Sequence, residues 1–399
     1  MKKRTNILVE CPELIASVRV GVLEPLSELQ NSQRCNVLFK RTIQISKKDI
    51  QWCDILITVR GYEYVTMEIV KAAKRAGRYV IYFLDDDLLN IPQHIPSGSY
   101  FQNQEIKGRL IEIISLSDRL WCVNTLIAEK YSKYCGGKFF IGKVPITNKP
   151  LNSKTVNYDI VRILYAGSAD HTQSVIKYIT PAVSKLCREY KSKIEFTFIG
   201  VNPGLSNNSN VRYIDYINDY NEYKRIVEDG NYDIGLAVIQ EDEFYKAKYY
   251  NKFMEYTSIG AVGVYTDSPP YTLVVEDNKN GFLCSENSWY DILKKVIDDP
   301  ESRRQCYNNA RKIIEERFNY TLIGQELVEK NPELISFRSD KTKKVVLLNT
   351  RNSYYKHRII EIWNEHKFLF LFYIIVKICR FIIRKIRIII CGIRRKKCL

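Results

Sequence analysis

The sequence predicts an α/β protein made of two Rossmann-like domains that face a central cleft, followed by a basic amphipathic helical tail. Three observations carry this expectation. Short β-rich apolar runs alternate with helical stretches in two consecutive series of similar length, the signature of βαβ units around parallel sheets. A polar, proline-marked stretch at 145–159 separates the two series. Positive charge is concentrated at the end of the chain: of the formal +16, residues 336–399 carry +14, from 17 Lys and Arg against 3 Asp and Glu, which leaves +2 for residues 1–335. The predicted boundaries are therefore 1–150, 160–335 and 336–399.

Composition agrees with folded domains. The chain has 399 residues, 45% hydrophobic and 27% charged, which excludes disorder, collagen and a polytopic membrane protein and suggests two domains with a remainder. A nucleic-acid groove would carry its basic excess inside the folded body, so no nucleic-acid partner is expected. The eleven cysteines include no C-x-x-C pair and read as free thiols in a reducing compartment. After Met1-Lys2-Lys3-Arg4 the apolar run is only Ile7, Leu8 and Val9 before Glu10, too short for a signal peptide. A cytoplasmic protein whose first strand spans 5–9 is expected.

In the first series, strands are predicted at 6–9, 36–39, 55–59, 79–84, 120–123 and 139–141, with helices at 67–76 and 106–116. In the second, strands are predicted at 162–166, 195–199, 211–213, 234–239 and 262–265, with helices at 175–190, 220–228, 248–259, 289–297 and 300–316. Ligands of such sheets bind beyond the carboxyl ends of the strands, so the residues just after each strand matter most.

The sequence lacks G-x-G-x-x-G, G-x-x-x-x-G-K-[ST] and G-x-S-x-G, and it has four histidines at wide spacing. Dinucleotide oxidoreductase, P-loop NTPase, α/β-hydrolase and histidine-based metal chemistry thus have no support. Two segments of the second half do offer chemistry. The strand at 162–166 ends in Gly167-Ser168, followed by Asp170, His171 and a helix. This turn suits a phosphate at a helix N-terminus or, equally, a tight turn in which Ser or Asp caps the helix. On the predicted helix at 248–259, Lys248, Lys252 and Glu255 fall at i, i+4 and i+7 on one face. Two ammonium groups can neutralise a diphosphate while the carboxylate accepts hydrogen bonds from a ribose diol; a solvated helix face has the same pattern.

The blocks Lys252-Phe-Met-Glu255-Tyr-Thr-Ser-Ile-Gly260, Asp277-Asn-Lys-Asn-Gly281 and Asn309-Ala-Arg, in this order, resemble the carboxy-terminal half of GT-B glycosyltransferases of the retaining, nucleotide-sugar-dependent kind. The resemblance covers residues 160–320 best. It implies that Glu255 holds the donor ribose, that Gly167 and Ser168 approach the diphosphate with His171 beside them, and that Lys248 and Lys252 neutralise it. It implies no cofactor, since the nucleotide-sugar is a substrate and such enzymes do not generally need an active-site metal. The family's Glu-x7-Glu pair would begin at position 247, where this chain has Ala247, and the usual Arg and Lys pair after the first strand of this half is replaced by Asp170, His171 and, later, Lys177.

In the first half, Arg60 ends one strand and Asp85-Asp86-Asp87 ends the next. Arg60 could meet an acceptor phosphate or carboxylate. The aspartates could bind an acceptor hydroxyl or act as its base, with Asp85 and Asp86 the candidates, or hold a divalent ion, or cap a turn. Ser17-Val-Arg19 resembles the acceptor-side loop of the family, without its Gly-Gly, and makes Arg19 an acceptor candidate.

In the tail, the apolar run at 368–376 is half of what a spanning helix requires. Lys377, Arg380, Arg384 and Arg387 then follow at spacings of 3, 4 and 3 in an Ile-rich background, a basic amphipathic helix suited to an anionic membrane surface. Each such cation contributes roughly 1 kcal/mol near an anionic leaflet. The expectation is a glycosyltransferase peripheral on the inner face of the cell membrane, adding a sugar to a lipid-linked or growing glycan in surface-polysaccharide synthesis. A non-catalytic scaffold of the same fold and a nucleotide-sugar epimerase are the alternatives.

Overall fold

A computed structural model describes residues 4–95, 98–145, 160–240 and 242–366. Beyond its first residue the predicted linker lies outside this set, as do Lys377, Arg380, Arg384 and Arg387 of the predicted membrane helix.

The first half forms β1 (Thr5–Cys11), β2 (Cys35–Arg41), β3 (Ile55–Val59), β4 (Tyr79–Leu84), β5 (Arg119–Cys122) and β6 (Phe139–Ile141), a parallel sheet in the order β2-β1-β3-β4-β5-β6. The second half repeats the plan with β7 (Val161–Ala166), β8 (Ile194–Ile199), β9 (Val211–Ile214), β10 (Ile234–Ala237), β11 (Val262–Thr266) and β12 (Phe282–Cys284), ordered β12-β11-β10-β7-β8-β9. Central strands such as β3 and β11 are buried at every position, because helices cover both faces of a parallel sheet; this is why neither carries a charged residue. Strand β12 is not among the predicted strands, since three residues carry no period. In each sheet the strand order reverses beside its first strand, between β1 and β3 and between β7 and β10, and these reversals open a crevice at the carboxyl ends.

Two further features depart from the sequence reading. Residues 16–31 after β1, read as a loop at 17–19, are helical throughout, with a π-turn over Arg19–Leu23. Gly21 in that turn lies against the Phe83 ring, where a Cβ would stand 2.5 Å from Cζ, so only glycine lets the turn approach β4. The second difference is at the end of the body. The helix Tyr320–Lys330 returns to the first half, where the Tyr320 hydroxyl donates to Glu24 (2.6 Å) and Lys143 pairs with Glu326 (2.7 Å). Residues 336–346, assigned to the tail by charge, also pack on the first half. The cause is Asp54, whose carboxylate is 1% exposed and accepts from the Asn6 amide (2.9 Å), from the Ser339 hydroxyl (2.8 Å) and from Lys341 (2.9 Å). Burial pushes the Asp54 pKa up, but these donors outweigh it and hold it below the ordinary value.

The chain accordingly divides into compact units at Met1–Val346 and Leu347–Leu399. In its described part the second unit is the helix Thr350–His366, on which Tyr355, Ile359, Ile360 and Trp363 are exposed. No helix among the described residues is long and apolar enough to cross a membrane. The eight described cysteines are free and buried.

At the end of β1 the carboxylate of Glu10 is wholly buried and takes hydroxyl donors from three threonines, Thr42, Thr58 (2.7 Å) and Thr66 (3.2 Å). Burial raises its pKa above the ordinary 4.5, and the threonines only partly offset the rise. A carboxyl whose folded pKa is raised contributes stability that is fully present below the unfolded value and lost as pH climbs through the folded one. Glu10→Gln, neutral at every pH, should therefore match or exceed the parent in stability at pH 8 and lose that advantage toward pH 5, as read by denaturant melts at the two pH values.

Candidate active site

The carboxyl ends of β3, β4, β7 and β10 bring most of the sequence-derived candidates into one charged cluster. Arg60 follows β3 with φ of 51°, a left-handed backbone unusual for a residue with a side chain. Its guanidinium forks between the two aspartates that follow β4, with Nε on Asp85 and Nη2 on Asp86, both at 2.5 Å. Lys248, from the second half, reaches the other oxygen of Asp86 at 3.2 Å. Burial pushes the Asp86 carboxyl up, yet the Arg60 and Lys248 charges outweigh it and hold the group below the usual range.

The three aspartates diverge. Asp87 turns into the first half, where it is fully buried and accepts from the Tyr131 hydroxyl (2.8 Å), from Lys130 (2.9 Å) and from Asn90. Lys130 in turn reaches the second half, within 3.9 Å of the Glu243 carboxylate. Asp87 thus has the structural part of the three roles open to this run, while Asp85 and Asp86 stay at the mouth of the crevice, 12% and 17% exposed.

In the second half, the expected helix from 248 is shorter. It spans Asn251–Ser258, and Lys248 stands in the preceding loop, so the three residues do not share one helical face. Lys252 instead pairs with Glu255, three positions on. The second oxygen of Glu255 accepts from the Tyr223 hydroxyl, which in turn accepts from Lys252 at 3.2 Å. Tyr223, on the helix Tyr220–Asp229, is half-buried, and desolvation together with the Glu255 charge keeps the phenol protonated.

Gly167 and Ser168 form the turn after β7, and the Ser168 side chain makes no cap hydrogen bond to the helical segment that follows. The turn is pressed against its neighbour after β8: Gly200, at φ of 80°, lies where a Cβ would be 2.1 Å from the Gly167 carbonyl oxygen. His171, just beyond, packs its ring 5.5 Å from that of Tyr245 and has no hydrogen-bond partner at Nδ1. Burial pushes its pKa down to about 3, with the Lys248 and Lys252 charges adding to the shift and Asp86 opposing it. His171 is consequently a neutral imidazole beside the cations. Lys177 is set apart, with Tyr178 and Glu286 (3.8 Å). These three and Thr172, Gln173, Ile176 and Gln240 line an open groove of about 620 Å³. His94 of the first half meets Gln240 there at 3.3 Å. Arg19 is not part of the cluster either; it pairs with Glu24 at 3.6 Å.

Several contributors escaped the sequence reading. Asn124, after β5, donates to the carbonyls of Ala247 (2.6 Å) and Lys248 (3.2 Å) and caps its own helix through Ile127. Its place just beyond a strand end is the signal that could have found it. Tyr223 and Tyr245 sit inside helices, among 28 tyrosines, and had no signal of their own.

Solved structures share this architecture. HepE of Anabaena, in complex with UDP-glucose, superposes with a TM-score of 0.57 at 12% identity, covering 83% of this chain and 100% of that one. The fold is GT-B. A glycosyltransferase from Rickettsia africae gives 0.56 at 13%, over 84% and 100%. An alpha-glucosyltransferase, in complex with UDP-glucose and DNA, gives 0.58 at 12%, over 82% and 98%. No protein-family model matches the sequence, and a search of curated proteins finds no significant match.

Removing Arg60 leaves Asp85 without this partner and Asp86 with Lys248 alone. Arg60→Ala should cost about 2 kcal/mol in stability, between the values for an exposed pair and for a fully buried one. Arg60→Gly should lose less, by roughly 0.5–1 kcal/mol, because glycine takes the left-handed backbone without the Cβ penalty. Chemical denaturation of both variants tests this, and equal losses would mean that the backbone there is unstrained.

Proposed function

We propose that the protein is a glycosyltransferase that moves a sugar from a nucleotide-sugar to an acceptor hydroxyl, with retention of anomeric configuration. The observation that carries this reading is the network of Glu255, Lys252 and Tyr223, whose carboxylate and ammonium lie on the helix after β10, the neighbour of strand β7 that ends in the turn Gly167-Ser168. In a GT-B fold this is the crevice where strand order reverses. Glu255 holds the ribose diol, Lys252 and Tyr223 orient that carboxylate, and Lys248 and the backbone amides after Ser168 face the diphosphate. Because HepE was solved with UDP-glucose, a UDP-sugar is the donor to test first.

As the bond to the leaving diphosphate breaks, negative charge builds on its oxygens. Lys248 stabilises that charge, and one phosphate oxygen takes the acceptor proton on the same face, so no protein base is required. Arg60, Asp85 and Asp86 face the crevice from the first half and position the acceptor, with Arg19 at a separate part of that half. The groove beside Gln173, Gln240 and Tyr178 offers planar amides and an aromatic ring, a lining suited to a hydroxyl-rich ligand. The tail, with its amphipathic cations, places the enzyme at the inner face of the membrane, where a lipid-linked or growing surface glycan is the acceptor.

Glu255→Gln keeps shape but loses charge-assisted bonds to the ribose worth roughly 1.5–3 kcal/mol. UDP affinity should fall about ten-fold or more by titration calorimetry while the melting temperature stays near that of the parent; unchanged affinity would remove Glu255 from the donor site. Release of nucleoside diphosphate from a panel of nucleotide-sugars tests the activity itself, and binding without release would identify a non-catalytic binder.

Deleting residues 368–399 removes the predicted amphipathic helix and leaves both sheets whole. The truncated protein should still bind nucleotide and lose affinity for vesicles containing anionic lipid, and binding of the full chain should weaken with salt as the cations are screened. Equal vesicle binding with and without the segment would exclude it as the anchor.

A further inference from the structure

Resting on the donor reading above, one contact in the crevice has the form of an internal competitor. We propose that Asp86 and the donor diphosphate compete for Lys248: the carboxylate engages the ammonium as the structure shows it, and donor binding draws Lys248 away and leaves Asp86 to Arg60.

Of the two cations on Asp86, Arg60 is the closer, at 2.5 Å against 3.2 Å for Lys248. Arg60 holds Asp85 through a different nitrogen, so it stays paired with both aspartates when Lys248 leaves, one positive charge then facing two negative ones. Lys252 is less available, because Glu255 and Tyr223 already engage it. Lys248 also has the mechanical freedom to move. Its backbone is pinned by Asn124 through the carbonyls of 247 and 248, whereas its ammonium ends a flexible four-carbon stem, 24% exposed, over the Phe244 ring at 4.5 Å. Position 247 carries no carboxylate, so the counter-charge for Lys248 comes from the opposite half of the molecule.

The cluster contains three cations, Arg60, Lys248 and Lys252, and three carboxylates, Asp85, Asp86 and Glu255, with His171 neutral between them. These charges balance, so a diphosphate entering the crevice competes with carboxylates for cations that are already paired. Asp86 thereby restrains donor binding and couples it to the acceptor side: once Lys248 has moved, one oxygen of Asp86 is exposed for an acceptor hydroxyl.

Such a competition gives an outcome opposite to that of an ordinary site substitution. Asp86→Asn should bind UDP, and inorganic pyrophosphate as a base-independent probe, about five-fold or more tightly than the parent, within the usual range of coupling between sites. Lys248→Met should weaken both, and Asp86→Asn added to Lys248→Met should give no gain. Asp86→Glu, which keeps the charge, should stay near the parent, and melting temperatures of all variants show that each is folded. Equal or weaker binding by Asp86→Asn, with the parent binding normally, overturns this proposal and leaves the donor reading intact. A gain that persists in the double variant overturns it as well. A parent that binds neither UDP nor pyrophosphate overturns both.

Discussion

A carboxylate that stays charged in a partly desolvated crevice needs compensating charge, and Asp86 has a cation from each half of the molecule. Arg60 reaches it from the end of β3 and Lys248 from the loop before the helix Asn251–Ser258. Both are charge-assisted hydrogen bonds in a partly desolvated crevice, where they are worth more than surface pairs. Asn124 and Lys130 add contacts between the halves nearby. The seam between the two sheets is thus held by polar groups that also make up the candidate site. Any ligand entering the crevice acts on the contacts that join the halves.

The sheets decide where this seam can be. Parallel strands point all their carboxyl ends the same way, so the residues just after β3, β4, β7 and β10 collect at one edge of each sheet. Short turns then set individual side chains. The left-handed backbone at Arg60 and the contact of Gly200 on Gly167 are the sharpest of these, and both lie at strand ends facing the crevice. Strained turns at such places are common where a site is positioned by a rigid frame. The return of residues 320–346 to the first half, fastened by Asp54, gives that frame a second connection between the halves.

The departures from the family pattern acquire a physical form here. Ala247 is fully buried and its carbonyl is engaged by Asn124, so this position serves the joint between the halves and carries no carboxylate toward the crevice. His171 stands near the cations and is kept neutral by burial and by their charge, so it offers a hydrogen bond without adding a charge. The positive charge that Lys248 and Lys252 bring from the second half is therefore carried by lysines, which move more freely than an arginine fork.

The sequence by itself determined the two parallel sheets, because strands buried on both faces must be apolar throughout and their alternation with helical periods leaves few arrangements. It also singled out Arg60, Asp85, Asp86, Gly167, Ser168, His171, Lys248, Lys252 and Glu255 as residues for a crevice, since they follow strands or fall in blocks of recognisable order. What only the tertiary structure decided is how these residues are partnered. Lys248 meets Asp86 across 162 positions of sequence, Glu255 takes a hydroxyl from Tyr223 on another helix, and Arg19 turns to Glu24. Residues 336–346 read as tail by charge and join the body because Asp54, buried 285 positions earlier in the chain than Ser339, requires donors. Periodicity reports which face of an element is buried, whereas the partner of a buried charge is set by whatever the fold brings within about 3 Å, and no local pattern encodes it.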